Sequence, residues 1–260
     1  MTALPNYLII GTQRGGTSAL ARGISNHPDV FLALGKEMHF FDREYADGID
    51  AYRRHFADSG GAVAVGEATP DYMYIEEARV RMAADLDDVR FIVILRDPVA
   101  RAYSAYWHNR RRGNESLGFE EALAAEEERL EGSGWGRYRH GYMDRGRYVD
   151  QLRRIAELMP EAPLLVLFND ELRTQRRETL HRVWKFVNVD PELGDTEESR
   201  RPPRKSLVRR LKAKVSAADT YDRSYEPMSP TLRSRLVAEM DEANTALETH
   251  LGLDLSHWRT

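Results

Sequence analysis

Short, uncharged apolar runs recur along the chain and are separated by longer amphipathic segments. The runs are typical of strands that are covered on both faces of a sheet, and they span residues 7–10, 30–33, 63–65, 91–95 and 164–168. The segments between and after them have the spacing of amphipathic helices. We expect helices over residues 19–24, 51–56 and 75–86, from residue 98 onward, and over 119–130, 148–158, 176–187 and 230–251.

Strands that alternate with helices predict an α/β fold, a three-layer sandwich with a central parallel sheet and helices on both faces. In such sheets ligands bind at the carboxyl ends of the strands. The polar clusters of this sequence follow strand-like runs, so we expect them to converge on one crevice.

A glycine-rich turn, Gly11-Thr12-Gln13-Arg14-Gly15-Gly16-Thr17-Ser18, links the first strand to the first helix. Glycines permit a tight turn and the N–H groups of a helix start bind anions, so the turn predicts a phosphate site. We expect the hydroxyl of Thr17 or Ser18 to cap the helix. The spacing nearly matches the nucleotide-binding motif G-x4-G-K-[ST]. Thr17 occupies the lysine position, however, and the cation sits earlier, at Arg14, which weighs against γ-phosphate chemistry.

A second anion site is indicated where the strand over residues 91–95 ends. It ends at Arg96 instead of at an acidic residue that would hold Mg²⁺. Ser104 follows about two helical turns later, so the guanidinium and the hydroxyl are available to a second phosphate. Two anion sites without metal ligands predict a nucleotide that is phosphorylated at two places on its ribose, and a reaction that needs no metal.

A third polar cluster is Lys36-Glu37-Met38-His39-Phe40-Phe41-Asp42. It places a cation, a carboxylate and an imidazole within four residues, backed by two aromatic rings. For His39 the choice is open between a catalytic or orienting role and simple packing beside the aromatic rings. Lys36 is either a functional cation or a solvated lysine. Glu67 either positions a cation or caps the Thr69-Pro70 turn.

The composition narrows the class of protein. The chain of 260 residues lacks cysteine, which excludes disulfides, zinc–thiolate sites and thiol nucleophiles. Its net charge of −4 gives no global attraction to nucleic acid or anionic membranes. No apolar run approaches the ~20 residues of a membrane span, and the first strand begins too early for a signal peptide. We expect a cytoplasmic protein without nucleic-acid or membrane partners; the oligomeric state stays open.

Four motifs, taken in order, resemble sulfotransferases that use 3′-phosphoadenosine-5′-phosphosulfate (PAPS), of the bacterial and heparan-sulfate types. They are Leu8-Ile9-Ile10-Gly11-Thr12-Gln13-Arg14-Gly15-Gly16-Thr17, Lys36-Glu37-Met38-His39-Phe40-Phe41-Asp42, Glu67-Ala68-Thr69-Pro70 and Leu95-Arg96-Asp97-Pro98-x5-Ser104. The resemblance implies a P-loop-NTPase-like fold, one sulfotransferase domain over residues 1–260, and transfer of a sulfuryl group from PAPS to a hydroxyl of a small-molecule or natural-product acceptor, possibly a glycan.

The resemblance also implies where the donor nucleotide is held. The 5′-phosphosulfate would lie on the loop formed by Arg14, Gly15, Gly16, Thr17 and Ser18. Arg14 takes the place of a family lysine that neutralises the leaving phosphate. The 3′-phosphate would be bound by Arg96 and Ser104, and a late loop that closes over the nucleotide would contain Arg204, Lys205 and Ser206.

The catalytic roles implied by the resemblance fall on the third cluster. Glu37 matches the family carboxylate that serves as catalytic base. His39 matches a neighbouring residue of the same motif, and Lys36 would add a cation. One departure is Ala68, which replaces a lysine of the heparan-sulfate enzymes and weakens the case for a glycan acceptor. The alternatives are a P-loop kinase and a nucleotide-binding module without catalysis.

Overall fold

The computed structural model describes residues 4–33, 37–132, 134–195 and 225–260. Four residues with predicted roles, Lys36, Arg204, Lys205 and Ser206, lie outside these ranges.

Five parallel strands form one sheet at the centre of the described residues, as the sequence predicts. The strands are β1 (Tyr7–Gly11), β2 (Val30–Leu32), β3 (Ala64–Ala68), β4 (Arg90–Leu95) and β5 (Leu164–Phe168). Their order across the sheet is β2-β3-β1-β4-β5. Because β1 is paired with β3 on one side and β4 on the other, the residues that follow these three strands meet at one edge, where the direction of the connections reverses.

The α-helices cover both faces of this sheet. They are α1 (Thr17–Ile24), α2 (Ile49–Arg53), α3 (Glu76–Asp85), α4 (Pro98–Arg111), α5 (Phe119–Ala124), α6 (Glu126–Glu131), α7 (Tyr148–Leu158), α8 (Asn169–Thr174), α9 (Arg176–Phe186) and α10 (Pro230–Leu251). Single turns of other helix types lie between them, among them a π-turn at Phe40–Glu44.

The core that packs on the sheet has two halves because successive residues of β1 point to opposite faces, and a third buried cluster joins α4, α5 and α10. Tyr7 and Ile9 pack with α1 and with Trp184 of α9. Leu8 and Ile10 pack on the other face, where α3 and α7 lie. All four β1 side chains are fully buried, and burial of a large apolar side chain contributes about 1.5–3 kcal/mol to stability. The α/β three-layer architecture is therefore confirmed.

The predicted helix over 119–130 is wrong in one respect, because it is divided into α5 and α6 at Ala125. The side chain of Glu126 is buried next to this break. Its carboxylate accepts the backbone N–H groups of Met143, at 3.0 Å, and Asp144, at 2.8 Å. A glutamate in a charged run predicts an exposed helical face, and nothing in the local sequence signals this long-range contact.

None of the helices in the described ranges is long and apolar enough to cross a membrane. The cytoplasmic location stays a prediction.

Gly66 fixes how closely β3 approaches β1, so we predict that Gly66→Ala destabilises the fold. An added Cβ would lie 2.3 Å from the Tyr7 carbonyl oxygen and 2.6 Å from its ring. Since both belong to the central strand, we expect urea denaturation to show a loss of about 3 kcal/mol in the free energy of unfolding. Gly136→Ala is the control, because no atom of the described residues lies within 4 Å of its added Cβ. Equal stability of the two variants would contradict this packing.

Candidate active site at the carboxyl edge of the sheet

The glycine-rich turn is packed directly against the end of β4. The Thr12 N–H donates to the Ile94 carbonyl oxygen at 3.1 Å, and the Gly15 N–H donates to the Thr12 carbonyl oxygen at 2.9 Å. A Cβ on Gly15 would stand 2.3 Å from the Ile94 oxygen, which only glycine avoids. Gly16 then adopts a left-handed conformation, with φ of 114°, and leads into α1.

The predicted hydroxyl cap of α1 is wrong. Gly16 is the capping residue and makes no side-chain hydrogen bond, while Thr17 is the first helical residue and is buried. Without a side-chain cap, the first backbone N–H groups of α1 are the donors that this end of the helix offers. They lie at the positive end of the helix dipole, which favours an anion.

Asn169, the first residue of α8 directly after β5, supports the turn, and sequence reasoning missed it. Its Nδ2 donates to the Gly15 carbonyl oxygen at 2.7 Å, and an added Cβ on Gly16 would lie 2.6 Å from the same nitrogen. The only signal in the sequence is a polar residue directly after a predicted strand.

Three residues of the two predicted anion sites lie together. The Nε of Arg14 donates to the Ser104 hydroxyl at 3.1 Å, although 90 residues separate them in sequence. Arg96 donates through Nη1 to the Arg14 carbonyl oxygen at 3.4 Å. The glycine-rich turn and the end of β4 therefore form one electropositive surface, and the individual ligand roles stay predictions.

Tyr148 and Asp97 hold Arg96 and α4 in place. The Tyr148 hydroxyl donates to the Arg96 carbonyl oxygen at 2.8 Å. Asp97 caps α4 by accepting the N–H groups of Val99 and Ala100, and it pairs with Arg233 of α10 at 2.8 Å. The carboxylate nearest to the end of β4 in sequence is thus engaged in structural contacts.

Glu37 lies across β1 from this electropositive surface. Its N–H donates to the carbonyl oxygen of Ala68, the last residue of β3, at 3.1 Å. Its carboxylate is one-third exposed and lies 3.8 Å from the Nε2 of His39. The Nδ1 of His39 lies 2.8 Å from the Asp42 carboxylate. The imidazole therefore stands between two carboxylates, which favours an orienting role for His39 over simple packing.

Buried charges surround the far side of this imidazole. Asp71 lies 4.0 Å from His39 Nδ1, 2.7 Å from Arg145 and 3.4 Å from Arg43. Burial alone would raise the pKa of Asp71, but Arg145, His39 and Arg43 outweigh it and hold the pKa below its usual value. Sequence reasoning assigned no role to Asp71, because its partners come from distant segments.

His39, Asp42 and Asp71 offer ligand atoms that all lie within 4.8 Å of one another, a spacing that could hold a metal ion. Arg145 and Arg43 already balance the carboxylate charge at Asp71, so a further cation there would meet two neighbouring positive charges. That the reaction needs no metal stays a prediction.

The backbone of the third cluster rests on a buried aromatic group. The Tyr72 hydroxyl accepts the N–H of Phe40 at 2.9 Å and lies 3.5 Å from that of Phe41. The ring of Phe40 stacks on Tyr52, with 4.6 Å between centroids. The two aromatic residues of the motif thus anchor the segment that carries Glu37 and His39.

Glu67 lies beneath this segment and is 1% exposed. It accepts hydrogen bonds from the hydroxyls of Thr69, at 2.7 Å, and Tyr52, at 3.2 Å. Among the two sequence alternatives, these contacts favour a role in the Thr69-Pro70 turn. Burial raises the pKa of Glu67 to about 7, against the lowering effect of its hydrogen bonds.

Comparisons with known proteins agree with this geometry. The profile described as "Sulfotransferase domain" matches residues 4–221. Human heparan sulfate glucosamine 3-O-sulfotransferase 3B1 is 44% identical over 40% of this chain and 26% of its own length. Mouse heparan sulfate glucosamine 3-O-sulfotransferase 5 is 30% identical over 74% of this chain and 55% of its own length. The crystal structure of a sulfotransferase from Alicyclobacillus acidocaldarius is 29% identical, with a TM-score of 0.77, and covers 99% of this chain and 100% of that one.

The fold and the family match define a class of transferase enzymes, the PAPS-dependent sulfotransferases. The chain belongs to the sulfotransferase domain family. It spans between about a quarter and just over half of the two curated relatives named above.

We predict that Glu67→Gln removes a pH-dependent loss of stability. The carboxyl pKa is about 7 in the folded protein against an ordinary 4.5, so folding is penalised once the pH exceeds 4.5, and the penalty grows until about pH 7. The shift corresponds to about 3 kcal/mol. Urea denaturation from pH 4.5 to 8 should show wild-type stability falling relative to the variant across that window.

Glu127→Gln, which changes an exposed glutamate of α6, is the control and should follow the wild-type profile. A Glu67→Gln profile parallel to wild type would contradict a buried, neutral carboxyl at position 67.

Proposed function

We propose that the protein transfers a sulfuryl group from PAPS to a hydroxyl of its acceptor. The observation that carries the proposal is that Arg14, in the glycine-rich turn, contacts both Ser104 and Arg96. The Glu37 carboxylate lies on the other side of β1. One surface can hold an anionic donor, and the carboxylate can activate a hydroxyl beside it.

PAPS would supply the sulfuryl group by in-line transfer. The acceptor oxygen forms a bond to sulfur as the bond from sulfur to the bridging phosphate oxygen breaks, and the hydroxyl proton passes to Glu37. General-base help of this kind contributes typically 10²–10⁴-fold. The first N–H groups of α1 would stabilise the charge that builds on the leaving phosphate.

His39 and Asp42 are proposed to orient this base. His39 lies between the two carboxylates, with Nδ1 at 2.8 Å from Asp42 and Nε2 at 3.8 Å from Glu37. The contact with Asp42 fixes the orientation of the ring and so the direction in which Nε2 faces Glu37. His39 is thereby a positioning residue, with Glu37 as the base.

A glycan hydroxyl is the acceptor supported by the comparisons, since two of the relatives are named for heparan sulfate glucosamine. Ala68 is buried and contributes no charge at the position where those enzymes' lysine is expected. We therefore propose that this protein binds acceptors that carry less negative charge than heparan sulfate. Neutral glycans and small hydroxylated molecules both meet that condition.

The kinase alternative is disfavoured by Asp97. A kinase of this fold needs a carboxylate near β4 for Mg²⁺, whereas Asp97 caps α4 and pairs with Arg233. A binding module without catalysis would not need the series of side-chain contacts that runs from Glu37 through His39 to Asp42.

We predict that Glu37→Gln lowers kcat by about 10²–10⁴-fold while the affinity for adenosine 3′,5′-bisphosphate (PAP) is retained. The amide keeps the shape of the side chain but is not a base. Turnover is measured by mass spectrometry of products from PAPS and a panel of glycans, phenols and alcohols, and PAP binding by calorimetry.

Glu44→Gln, an exposed neighbour, should leave both quantities unchanged. Unaltered turnover in Glu37→Gln would remove Glu37 as the base and transfer that role to His39, which His39→Asn then tests.

A further inference from the structure

Two residues of the third polar cluster have an uncommon backbone conformation. Glu37 and His39 are both left-handed, with φ of 64° and 55°. A residue with a side chain adopts this conformation rarely, and it persists where the surrounding structure holds it. The direction of the Glu37 carboxylate therefore depends on the contacts that fix the backbone of residues 37–41, here called the 37–41 segment.

Three buried side chains hold this segment from below. The Thr69 hydroxyl accepts the N–H of His39 at 3.5 Å, and the Tyr72 hydroxyl accepts the N–H of Phe40 at 2.9 Å. The ring of Tyr52 stacks on that of Phe40, with 12° between the ring planes. Each of the three side chains is at most 1% exposed, so these contacts are shielded from water.

Glu67 connects the three side chains. Its carboxylate accepts the hydroxyl protons of Thr69, at 2.7 Å, and Tyr52, at 3.2 Å, and a hydrogen bond with Tyr72 lowers its pKa. A hydroxyl has one proton and two lone pairs. When the proton points to Glu67, the lone pairs can accept a backbone N–H, so the carboxylate sets the direction in which Thr69 and Tyr72 present their acceptors.

The sheet fixes the position of this carboxylate. Glu67 lies in β3 and is paired in register with Leu8 of β1. Directly after β3, the Thr69 N–H donates to the Ile9 carbonyl oxygen at 3.1 Å. The hydroxyl that meets the 37–41 segment is therefore held by the central strand of the fold.

We propose that Glu67 is a positioning residue for the transfer reaction: through the hydroxyls of Thr69 and Tyr72 it holds the 37–41 segment in the conformation that directs the Glu37 carboxylate at the acceptor. The inference rests on the proposed function, in which Glu37 is the base.

The cost of burying Glu67 separates positioning from support of the fold. Burial raises the pKa of its carboxyl to about 7, so the ionised group destabilises the folded protein at pH 8. In Glu67→Gln one acceptor oxygen is replaced by an NH₂ donor, and one of the three hydroxyls loses its acceptor. We therefore expect this variant to be more stable than wild type at pH 8 and yet slower in turnover.

Hydrogen exchange followed by mass spectrometry tests the contacts without donor or acceptor. In Glu67→Gln and Thr69→Val at pH 8, we expect the amides of residues 39–41 to exchange about 3- to 10-fold faster, as the loss of one hydrogen bond predicts, with a peptide from β4 as the reference. Thr69→Ser, which keeps the hydroxyl, should retain the wild-type rate. Tyr142→Phe removes a hydroxyl from another fully buried tyrosine; it is the control and should leave these amides unchanged.

Turnover of the same variants tests the consequence for the reaction. We expect the kcat of Glu67→Gln to fall about 10- to 100-fold, because a misplacement of about 1 Å can reduce a rate by that factor. The affinity for PAP, measured by calorimetry, should be retained, since the contacts that change belong to the 37–41 segment. Turnover is measured with PAPS and the same panel of acceptors as for Glu37→Gln.

Exchange that is unchanged in both variants, or that rises equally throughout the chain, would overturn the inference. A wild-type kcat alongside faster local exchange would also overturn it, as would a PAP affinity that falls together with kcat. If wild type transfers no sulfuryl group to any acceptor of the panel, the proposed function fails, and the exchange experiment still decides whether Glu67 holds the segment. Thr69→Val carries the test if Glu67→Gln does not fold.

Discussion

The close approach of Gly15 to the carbonyl oxygen of Ile94 is the constraint on which the site depends. An added Cβ would come within 2.3 Å of that oxygen, so only glycine lets the turn after β1 lie flat against the end of β4. With the turn in this position, Arg14 reaches Ser104 and Arg96 reaches the Arg14 carbonyl oxygen. One backbone contact thus brings two separate strand ends together into a single surface, where we propose that the anionic donor binds.

Charge is divided across the central strand. Cationic groups, Arg14 and Arg96, lie on the β4 side of β1, whereas the carboxylates of Glu37 and Asp42 flank His39 on the β3 side. The division suits a reaction in which one partner is a polyanion and the other must lose a proton. Arg145, His39 and Arg43 hold the pKa of Asp71 below its usual value, so Asp71 remains ionised. The charge of this carboxylate is therefore balanced without Arg14 or Arg96.

The sheet was predictable because each strand contains an apolar run, and its edge follows from parallel pairing. The predicted run over residues 63–65 misses the end of β3, which continues through Gly66 and the buried Glu67 to Ala68. Predictions failed where a distant partner decides the structure. Glu126 breaks a helix to reach the backbone of Met143 and Asp144. A glycine caps α1 in place of a hydroxyl, because the backbone there is left-handed and Asn169 lies against the position of a Cβ. The Arg14–Ser104 contact joins residues 90 positions apart, and motif spacing alone carries no information about it.

The central claim is that the glycine-rich turn and the end of β4 form one site for a ribose bisphosphate. Thermal unfolding of the whole chain with PAP, and separately with ATP and Mg²⁺, tests it most directly, because a ligand that binds the folded state raises the unfolding midpoint according to its affinity. We predict a larger rise with PAP at equal concentration. An equal or larger rise with ATP and Mg²⁺ would contradict a bisphosphate site and favour a site for a nucleoside triphosphate.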